Sequence, residues 1–286
     1  MDPAVINLYD AVDGYVDLAK HVLRYGNTVS PRGQETREIE DAVIRITNVR
    51  DTLPLGVGRN VVPGIGAVEA CQLLAGVSMP ELVVAVGPQF KKYTEDNGLF
   101  HGAYGLRTNM QYEKIIERLK DDPDTRQAVV TIWDPKLDLL NNKRDYPCTI
   151  LHQFKIRNDA LNMSVYMRSN DVWLGAAYDF FQFTRVQLAI ASILGISPGT
   201  YTHHVGSLHI YEQHYDLVDN LKYANSSSYV PYIQGDTWAQ VRLTALGALD
   251  AAITGVDVAS GAQWYATAMQ NAIANHKKQE KVDSKL

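Results

Sequence analysis

The stretches YPCTILHQF at residues 146–154 and RSNDVWLGAAYDFFQFT at residues 168–184 decide the fold expected for this chain. In the first stretch, Cys148 follows Pro147 and opens the run TILHQFKI, whose β-branched and apolar residues predict a strand. The thiol is therefore expected at the end of a strand, where a nucleophile can reach a substrate. The alternative for Cys148 alone is a buried structural cysteine, since buried thiols are common.

The second stretch supplies groups that suit a phosphorylated substrate. Arg168 and Ser169 offer a guanidinium fork and a hydroxyl, both of which bind phosphate oxygens well. Asp179 then stands at the start of an apolar helix. Together the two stretches indicate that sulfur attacks a phosphorylated substrate.

This arrangement resembles the thymidylate synthase family. The family pattern is a Pro-Cys nucleophile before a Gln-Phe strand, then Arg-Ser-x-Asp-x-x-Leu-Gly and a residue that reads the base. The matching residues are Pro147, Cys148, Gln153, Phe154, Arg168, Ser169, Asp171, Leu174, Gly175 and Asp179. The segments at 122–134 and 206–211 extend the resemblance, which covers about residues 25–220.

The resemblance implies an α+β, thymidylate-synthase-like fold with a central mixed sheet flanked by helices. One domain is expected over residues 1–286, with its core at about 25–220 and a divergent helical C-terminal region at about 235–280. The alanine-rich patterns after residue 235 do not align with the usual ending of the family, and the last residues form a charged tail instead of a short apolar one.

One departure from the family concerns the base. Thymidylate synthases carry asparagine at the position of Asp179, because an amide accepts from uracil N3–H and donates to O4. Cytosine reverses that pattern, and a carboxyl group with a shared proton fits its amino group and N3. Asp179 therefore favours cytosine, as in the cytidylate hydroxymethylase branch of the family.

Composition restricts the other classes of function. The 286-residue chain has a net charge of -5, which argues against general nucleic-acid binding. Its 2 cysteines are too few for a disulfide framework, and no signal or membrane-length apolar run is seen, so a cytoplasmic enzyme is expected. No metal site is predicted, because the adjacent His203 and His204 lack a convincing third ligand.

Periodicity predicts the main elements. Helices are expected over 3–24, 67–76, 111–120 and 179–195, and strands over 41–49, 126–133, 149–156, 161–168 and 201–211. Asn158 and Asp159 favour a tight hairpin between two of these strands.

The resemblance assigns the chemistry to four residues: Cys148, Glu69, Asp179 and Tyr104. The Cys148 thiolate would add to C6 of the pyrimidine, so that C5 can attack a one-carbon unit from 5,10-methylenetetrahydrofolate. Loss of the C5 proton and elimination of tetrahydrofolate would leave an exocyclic methylene; water would then add to it and the sulfur would leave. Glu69, in an apolar helix, would act as general acid and base, and Tyr104 would lie near the leaving proton. Cys71 is expected in the core.

The nucleotide would be bound by a larger set. These residues are Arg32, Arg126, Arg168 and Ser169 for the phosphate, Asp179 for the base, and His209, Tyr211 and Ala176 for the sugar. Gln153 is expected to contact the nucleotide as well. In the family, the arginine matching Arg126 comes from the other subunit, which implies a homodimer. Gln127 replaces a second arginine, for which Arg37 or Lys143 could compensate, and Thr149 replaces the histidine that usually follows the nucleophile.

The folate would lie against Asp171, Phe90 and Tyr93. The leading prediction is a CMP hydroxymethylase; Ala176 and Ala177 are small enough to leave room for a 2'-hydroxyl, or they merely permit close helix packing. Three alternatives stay open: a dCMP hydroxymethylase, a thymidylate synthase, and a catalytically silent nucleotide- or RNA-binding protein. The predicted partners are small molecules and a second copy of the chain, without nucleic acid or membrane.

Overall fold

A computed structural model describes residues 4–139, 142–224 and 229–283 of the chain. The strands are β1 (Val5–Leu8), β2 (Asn27–Val29), β3 (Thr36–Ile46), β4 (Val129–Thr131), β5 (Thr149–Arg157), β6 (Ala160–Met167), β7 (Asn170–Asp171) and β8 (Ser197–Tyr211). The helices are α1 (Asp13–Tyr25), α2 (Pro63–Ala75), α3 (Pro80–Val86), α4 (Tyr104–Thr108), α5 (Gln111–Asp121), α6 (Pro135–Asp138), α7 (Ala177–Leu194), α8 (Tyr215–Asp219), α9 (Trp238–Thr254) and α10 (Ser260–Asp283).

All of these strands belong to one mixed sheet. Its main path runs β1-β3-β8-β6-β5-β4, with β2 paired to β3 and β7 paired to β8. The β1–β3, β6–β8 and β7–β8 pairs are parallel, and the other pairs are antiparallel. The predicted central mixed sheet is therefore confirmed.

Helix α7 is the centre of the core, because every residue from Ala177 to Ala191 is buried. A helix that is buried around its whole circumference must be covered by other elements on all sides. The sheet covers one side through β6 and β8, and α2 covers another. Helices α9 and α10 pack in turn against α2, so the C-terminal region covers the helical layer.

The turns follow the local sequence. Asn158 and Asp159 both have positive φ, 52° and 55°, and join β5 to β6 as the predicted hairpin. Gly195 adopts a left-handed conformation with φ 67° and ends α7, as expected.

The single helix predicted over residues 3–24 is wrong in its first part. Val5–Leu8 forms a strand in parallel register with β3, and the helix begins only at Asp13. The carboxylate of Asp10 accepts hydrogen bonds from the backbone N–H groups of Val12 and Asp13, which starts the helix there. Apolar residues at positions 5, 8 and 12 mimic helical spacing, but pairing along β3 determines the structure.

None of the helices in the described ranges is long and apolar enough to cross a membrane. The described buried residues form one continuous apolar cluster that extends from β1 to α10.

Candidate active site

The proposed nucleophile lies where β5 begins and β6 ends. The backbone N–H of Arg168 donates to the carbonyl of Cys148 at 2.9 Å, which continues the pairing of the two strands. The Arg168 side chain turns back, so that its Nε donates to the carbonyl of Pro147 at 3.1 Å. Its Nη2 lies 3.7 Å from the Cys148 sulfur. The sheet thus places a positive charge beside the thiol.

Two effects oppose each other at this thiol. Burial raises the pKa of Cys148, while the positive charge of Arg168 lowers it; the nearby carboxyl groups of Asp179, Asp145 and Asp171 raise it further. Because the net direction is upward, the resting thiol keeps its proton. Formation of the nucleophilic thiolate therefore requires a proton acceptor or a change in local charge when substrate binds.

Two carboxyl groups, those of half-buried Glu69 on α2 and buried Asp179 in the first turn of α7, lie near one amide. Gln182 Nε2 donates to Asp179 Oδ1 at 3.0 Å and lies 3.4 Å from Glu69 Oε2. Burial raises the pKa of Glu69 to about 8, with a smaller contribution from the charge of Asp179. Burial likewise raises the pKa of Asp179 to about 7, although hydrogen bonds from Asn170 and Gln182 oppose this. Near neutral pH the pair can therefore hold and release protons.

Tyr104 lies beside the nucleophile strand. Its hydroxyl oxygen accepts a hydrogen bond from the backbone N–H of Thr149 at 3.3 Å. Burial raises the pKa of Tyr104 well above its usual range, and the neighbouring Cys148 and Asp179 add to this, so the phenol stays protonated. Cys148, Tyr104 and Asp179 therefore lie close enough together for the charge of one to shift the pKa of another.

The helix that carries Tyr104 is held by a buried ion pair. Arg107 on α4 bonds both carboxylate oxygens of Asp138, at 2.8 and 2.9 Å, and His101 bonds the same carboxylate at 2.8 Å. Burial alone would raise the pKa of Asp138, but these partners and the backbone N–H of Asp134 lower it to about 2. A bidentate guanidinium pair fixes orientation as well as position, which holds α4 against the site.

Asp171 has one occupied and one open oxygen. Its Oδ1 accepts from the backbone N–H groups of Trp173 (2.8 Å) and Leu174 (3.1 Å), which caps the π-helical turn Val172–Ala176. Its Oδ2 is buried and has no hydrogen-bond partner among the described residues. An orphaned buried acceptor of this kind fits a ligand that brings N–H groups.

The candidate sugar ligands lie on β8. His209 is directly opposite Asp171 in the β7–β8 register, and its ring meets that of Tyr211 edge-on at 5.2 Å. His209 Nδ1 is 3.4 Å from the hydroxyl of Ser207, which in turn bonds the carboxylate of Glu38. Ser207 stands where the family motif has an aspartate, and its hydrogen bond brings the Glu38 carboxylate next to that position.

The other phosphate candidates are more scattered. Arg32 and Arg126 are both exposed. Ser169 is half-buried. Gln153 donates from Nε2 to the backbone carbonyl of Arg126 at 3.3 Å, so in this structure it holds the segment before β4. Of the four phosphate candidates, Arg168 is the one with a side-chain contact to the Cys148 sulfur in the described residues.

The last three predicted site residues differ in exposure. Ala176 is completely buried, as is Ala177, which agrees with the packing alternative for this pair. Phe90 and Tyr93 share the 3-10 turn Pro88–Tyr93. Phe90 packs partly against the core, whereas Tyr93 is 37% exposed with Lys92 over its ring.

Three site residues were missed by the sequence analysis: Asn170, Gln182 and Arg59. Asn170 donates to Asp179 Oδ2 at 2.7 Å from within the RSND motif itself, at the position that the family pattern leaves open. Gln182 follows Asp179 by three positions on the same helix, a spacing that could have identified it. Arg59 lies over the rings of Tyr15, Trp173 and Tyr178, and no sequence signal pointed to it.

The described residues contain no group of three or more His, Cys, Asp or Glu side chains arranged to hold a metal ion.

Comparison with known proteins agrees with this geometry. The sequence profile of the family described as Thymidylate synthase matches residues 13–237. This chain belongs to the thymidylate synthase family. The match includes Cys148, Arg168, Asp179, Glu69 and the strands that position them.

Relatives within the family carry two kinds of name. The Deoxyuridylate hydroxymethyltransferase of Bacillus phage SP01 is 34% identical over 219 residues, which is 70% of this chain and 57% of the phage protein. The protein of the same name from Pseudomonas phage M6 is 32% identical over 162 residues, 54% of this chain and 46% of its own length. The Putative thymidylate synthase of Methanocaldococcus jannaschii is 32% identical over 206 residues, 68% of this chain and 85% of its own. This chain therefore spans about half the length of the two phage relatives.

Proposed function

We propose that this protein is a folate-dependent hydroxymethyltransferase that acts on C5 of the cytosine of CMP. The observation that carries the proposal is a buried carboxyl group, Asp179, with a pKa of about 7 close to the Cys148 thiol. Such a group can hold a proton at neutral pH and give it to the ring of a bound base. The sequence pattern is also similar to the CMP 5-hydroxymethylase of mildiomycin-type nucleoside biosynthesis.

Basicity explains why a carboxyl group favours cytosine. A protonated Asp179 offers one O–H donor and one carbonyl acceptor, which match N3 and the amino group of cytosine. The same carboxyl could turn its proton toward O4 of uracil, but a ring nitrogen is a better proton acceptor than a carbonyl oxygen. Sharing the proton with N3 draws electron density from the ring and prepares C6 for attack by sulfur.

The residues of the chain then have distinct roles. Cys148 forms the bond to C6 and later leaves, and Arg168 stabilises its thiolate through the 3.7 Å contact. Asp179 holds the proton at N3, while Glu69 moves protons and orients the water that adds to the new carbon. Tyr104, a protonated phenol beside Cys148, would donate a hydrogen bond to the group that accepts the C5 proton.

The structure also offers a fit for the folate. When bound, 5,10-methylenetetrahydrofolate supplies the one-carbon unit. Asp171 Oδ2 is a buried acceptor without a partner among the described residues, which suits the N–H groups of a pterin ring. Phe90 and Tyr93 would cover the rest of the folate by apolar contact.

The phosphate and the sugar complete the proposed nucleotide site. Arg168, Ser169 and Arg32 would bind the phosphate, joined by Arg126 of a second copy of the chain in a homodimer. The exposed position of Arg126 supports a contact outside its own subunit. His209 and Tyr211 would bond the sugar hydroxyls. Ala176 would favour CMP over dCMP by setting how closely α7 approaches the ribose, and Ala176→Leu should then impair CMP turnover more than dCMP turnover.

The uracil nucleotide is the second candidate substrate, because both phage relatives are named Deoxyuridylate hydroxymethyltransferase. A direct assay separates the candidates. The enzyme is incubated with methylenetetrahydrofolate and CMP, dCMP, UMP or dUMP tritiated at C5, and both tritium release and the product are measured. We expect release from CMP and a 5-hydroxymethyl product. A methyl product would identify a thymidylate synthase, and release from dUMP alone would identify the uracil enzyme.

Cys148→Ala should abolish tritium release while nucleotide binding persists, because the sulfur is needed for the reaction. Cys71→Ala is the matched control, since Cys71 is buried in α2 and contributes only packing. Substantial product from Cys148→Ala would refute the mechanism. Absence of release from all four nucleotides by the wild-type protein would favour the catalytically silent alternative.

A further inference from the structure

A line of buried hydrogen bonds leads from Asp179 into the sheet. Asn170 Nδ2 donates to Asp179 Oδ2 at 2.7 Å, and Asn170 Oδ1 lies 3.2 Å from His203 Nε2. The other ring nitrogen of His203, Nδ1, lies 2.6 Å from the hydroxyl of Tyr201. All four side chains are buried, and the mechanism proposed above uses only Asp179.

We propose that Asn170, His203 and Tyr201 are positioning residues that orient the proton of Asp179 toward the bound base. This proposal rests on the proposed function for its effect on base selectivity. The orientation itself depends only on the contacts within the chain.

Tyr201 determines which group donates and which accepts in each of these hydrogen bonds. Its phenol is neutral because burial raises its pKa well above the usual range, so its O–H must donate. In the described part of the chain, the only recorded acceptor for that hydrogen is His203 Nδ1. Leaving a buried hydroxyl without an acceptor costs about 1 to 3 kcal/mol, so this donation is strongly favoured.

Each later bond follows from the first. Because His203 Nδ1 accepts, its proton is on Nε2; burial lowers the pKa of His203 to about 3, which keeps the ring neutral. Nε2–H therefore donates to Asn170 Oδ1, and the amide of Asn170 can only present its Nδ2 to Asp179. Reversing the amide would turn its Nδ2 toward His203 and leave two donors facing each other.

Asp179 then receives a donor on each oxygen. Asn170 donates to Oδ2, and Gln182, which also reaches toward Glu69, donates to Oδ1 at 3.0 Å. When Asp179 is protonated, its proton cannot point toward Asn170 or Gln182, because both amides already direct N–H groups at the carboxyl oxygens. The proton must point away from these amides, toward the space where a ligand would bind.

The fold supplies this arrangement from three elements. Tyr201 and His203 are two positions apart on β8 and so share one face of the sheet, Asn170 is on β7, which pairs with β8, and Asp179 begins α7. The other titratable groups near Asp179 are Glu69 on α2, Cys148 before β5 and Tyr104 on α4. In the described part of the chain, none of these three groups is hydrogen-bonded to Asp179 Oδ2, which accepts from Asn170.

Titration of the carboxyl group tests the orientation without any substrate. The protein is labelled with carbon-13 at the aspartate carboxyl, and the Asp179 signal is identified as the one missing from Asp179→Asn. Tyr201→Phe removes a single oxygen and frees Asn170 to turn, so that a protonated Asp179 can donate to it. Tyr201→Phe and Asn170→Leu should each raise the titration midpoint by roughly half to one pH unit, the worth of one hydrogen bond.

Phe180→Leu is the matched control, because the Phe180 ring packs edge-on against both Tyr201 (6.2 Å) and His203 (5.1 Å) without a hydrogen bond to either. It should leave the midpoint unchanged. An unchanged midpoint in Tyr201→Phe, or an equal shift in Phe180→Leu, would overturn the proposal.

The effect on selectivity is measured on the same variants as the ratio of kcat/KM for CMP to that for UMP. We expect the ratio to fall about tenfold in Tyr201→Phe and Asn170→Leu and to persist in Phe180→Leu. His203→Gln, whose amide can still donate to Asn170, should retain more of the ratio than His203→Leu. If the wild-type protein acts on neither base, the proposed function fails while the titration still decides the orientation. If it prefers CMP and the variants keep its ratio and midpoint, only the positioning proposal fails.

Discussion

At the scale of single residues, the active site combines groups that each depart from their usual protonation. Glu69, Asp179 and Cys148 all have pKa values raised first by burial, so the site holds protons that an exposed site would have lost. Proton transfer is central to adding sulfur and water to a pyrimidine. In the proposed mechanism, the apolar core around α7 therefore contributes to the chemistry as well as to the stability.

Asp179→Asn should move base preference from cytosine toward uracil. The amide restores the paired donor and acceptor that uracil requires, and a lost well-matched polar contact costs about 1 to 3 kcal/mol, or roughly tenfold or more in preference. Relative kcat/KM on CMP and UMP is the measurement. Asp145→Asn is the control, because this carboxyl is also near Cys148 but bonds the backbone N–H of Gly102 at 3.0 Å. An unchanged preference in Asp179→Asn would contradict the assignment of this residue to the base.

Glu69 should make stability depend on pH. Its pKa is near 4.5 when unfolded and about 8 when folded, so its contribution is fully present below pH 4.5 and is lost as pH rises through 8. Each pKa unit is worth about 1.4 kcal/mol. Glu69→Gln should match the wild-type free energy of unfolding at pH 4 and exceed it at pH 8.5, by an amount on the order of a few kcal/mol.

Urea unfolding at the two pH values measures this difference. Exposed Glu81 on α3 provides the control, and Glu81→Gln should follow the wild-type curve at both. A Glu69→Gln protein that is no more stable than wild type at pH 8.5 would argue against a protonated Glu69 in the core.

At the scale of elements, α7 is tied to its neighbours by an unusual buried arginine. Arg185 donates to the carbonyls of Val230 and Arg50, both at 2.9 Å, and to that of Val49 at 3.2 Å. Its guanidinium also stacks on the ring of Phe181 at 4.8 Å. Among the described residues no carboxylate bonds this charge, so backbone dipoles stabilise it. The helix that carries Asp179 is thereby fixed to the loop after β3.

Arg185→Met should destabilise the fold by about 1 to 3 kcal/mol, because the carbonyls lose their hydrogen-bond donor. Part of this loss is offset, since the variant no longer has to bury a charged group. The midpoint of urea unfolding is the measurement. Arg242→Met is the control: Arg242 is half-buried and bonds a single carbonyl, that of Ala75, at 3.2 Å. Equal losses in the two variants would show that Arg185 has no special anchoring role.

At the scale of the whole molecule, the C-terminal helices complete the layer that carries Glu69. Helix α10 crosses α2 at Gly64, where an added Cβ would lie 2.7 Å from the carbonyl of Ala268 and 2.7 Å from the Cβ of Ala272. This close approach is possible only for glycine. The divergent C-terminal region is therefore packed directly against the helix of a catalytic candidate.

Gly64→Ala should destabilise the protein by about 1 to 3 kcal/mol, since the two helices must separate to admit the methyl group. Gly247→Ala is the matched control, because a Cβ at Gly247 on α9 meets nothing within 4 Å. That substitution should stabilise the protein by about 0.5 to 1 kcal/mol through helix propensity. Thermal unfolding measures both, and a Gly64→Ala protein as stable as wild type would show that the crossing is loose.

The sequence by itself determined the elements whose signals are local. The hairpin at Asn158 and Asp159, the end of α7 at Gly195 and the placement of Cys148 before a strand all follow from residues adjacent in the chain. The long motif around Arg168 and Asp179 also indicated the family directly, because its spacing spans two strands and a helix.

Only the tertiary structure decided the rest. Val5–Leu8 became a strand because β3 offers it a partner, a contact between residues almost forty positions apart. Asn170, His203 and Tyr201 reach Asp179 only after β7, β8 and α7 have packed, so their hydrogen bonds leave no periodic trace in the sequence. The raised pKa values of Glu69 and Asp179 likewise require burial by distant elements, since desolvation depends on what surrounds a group in space and not on its neighbours in the chain.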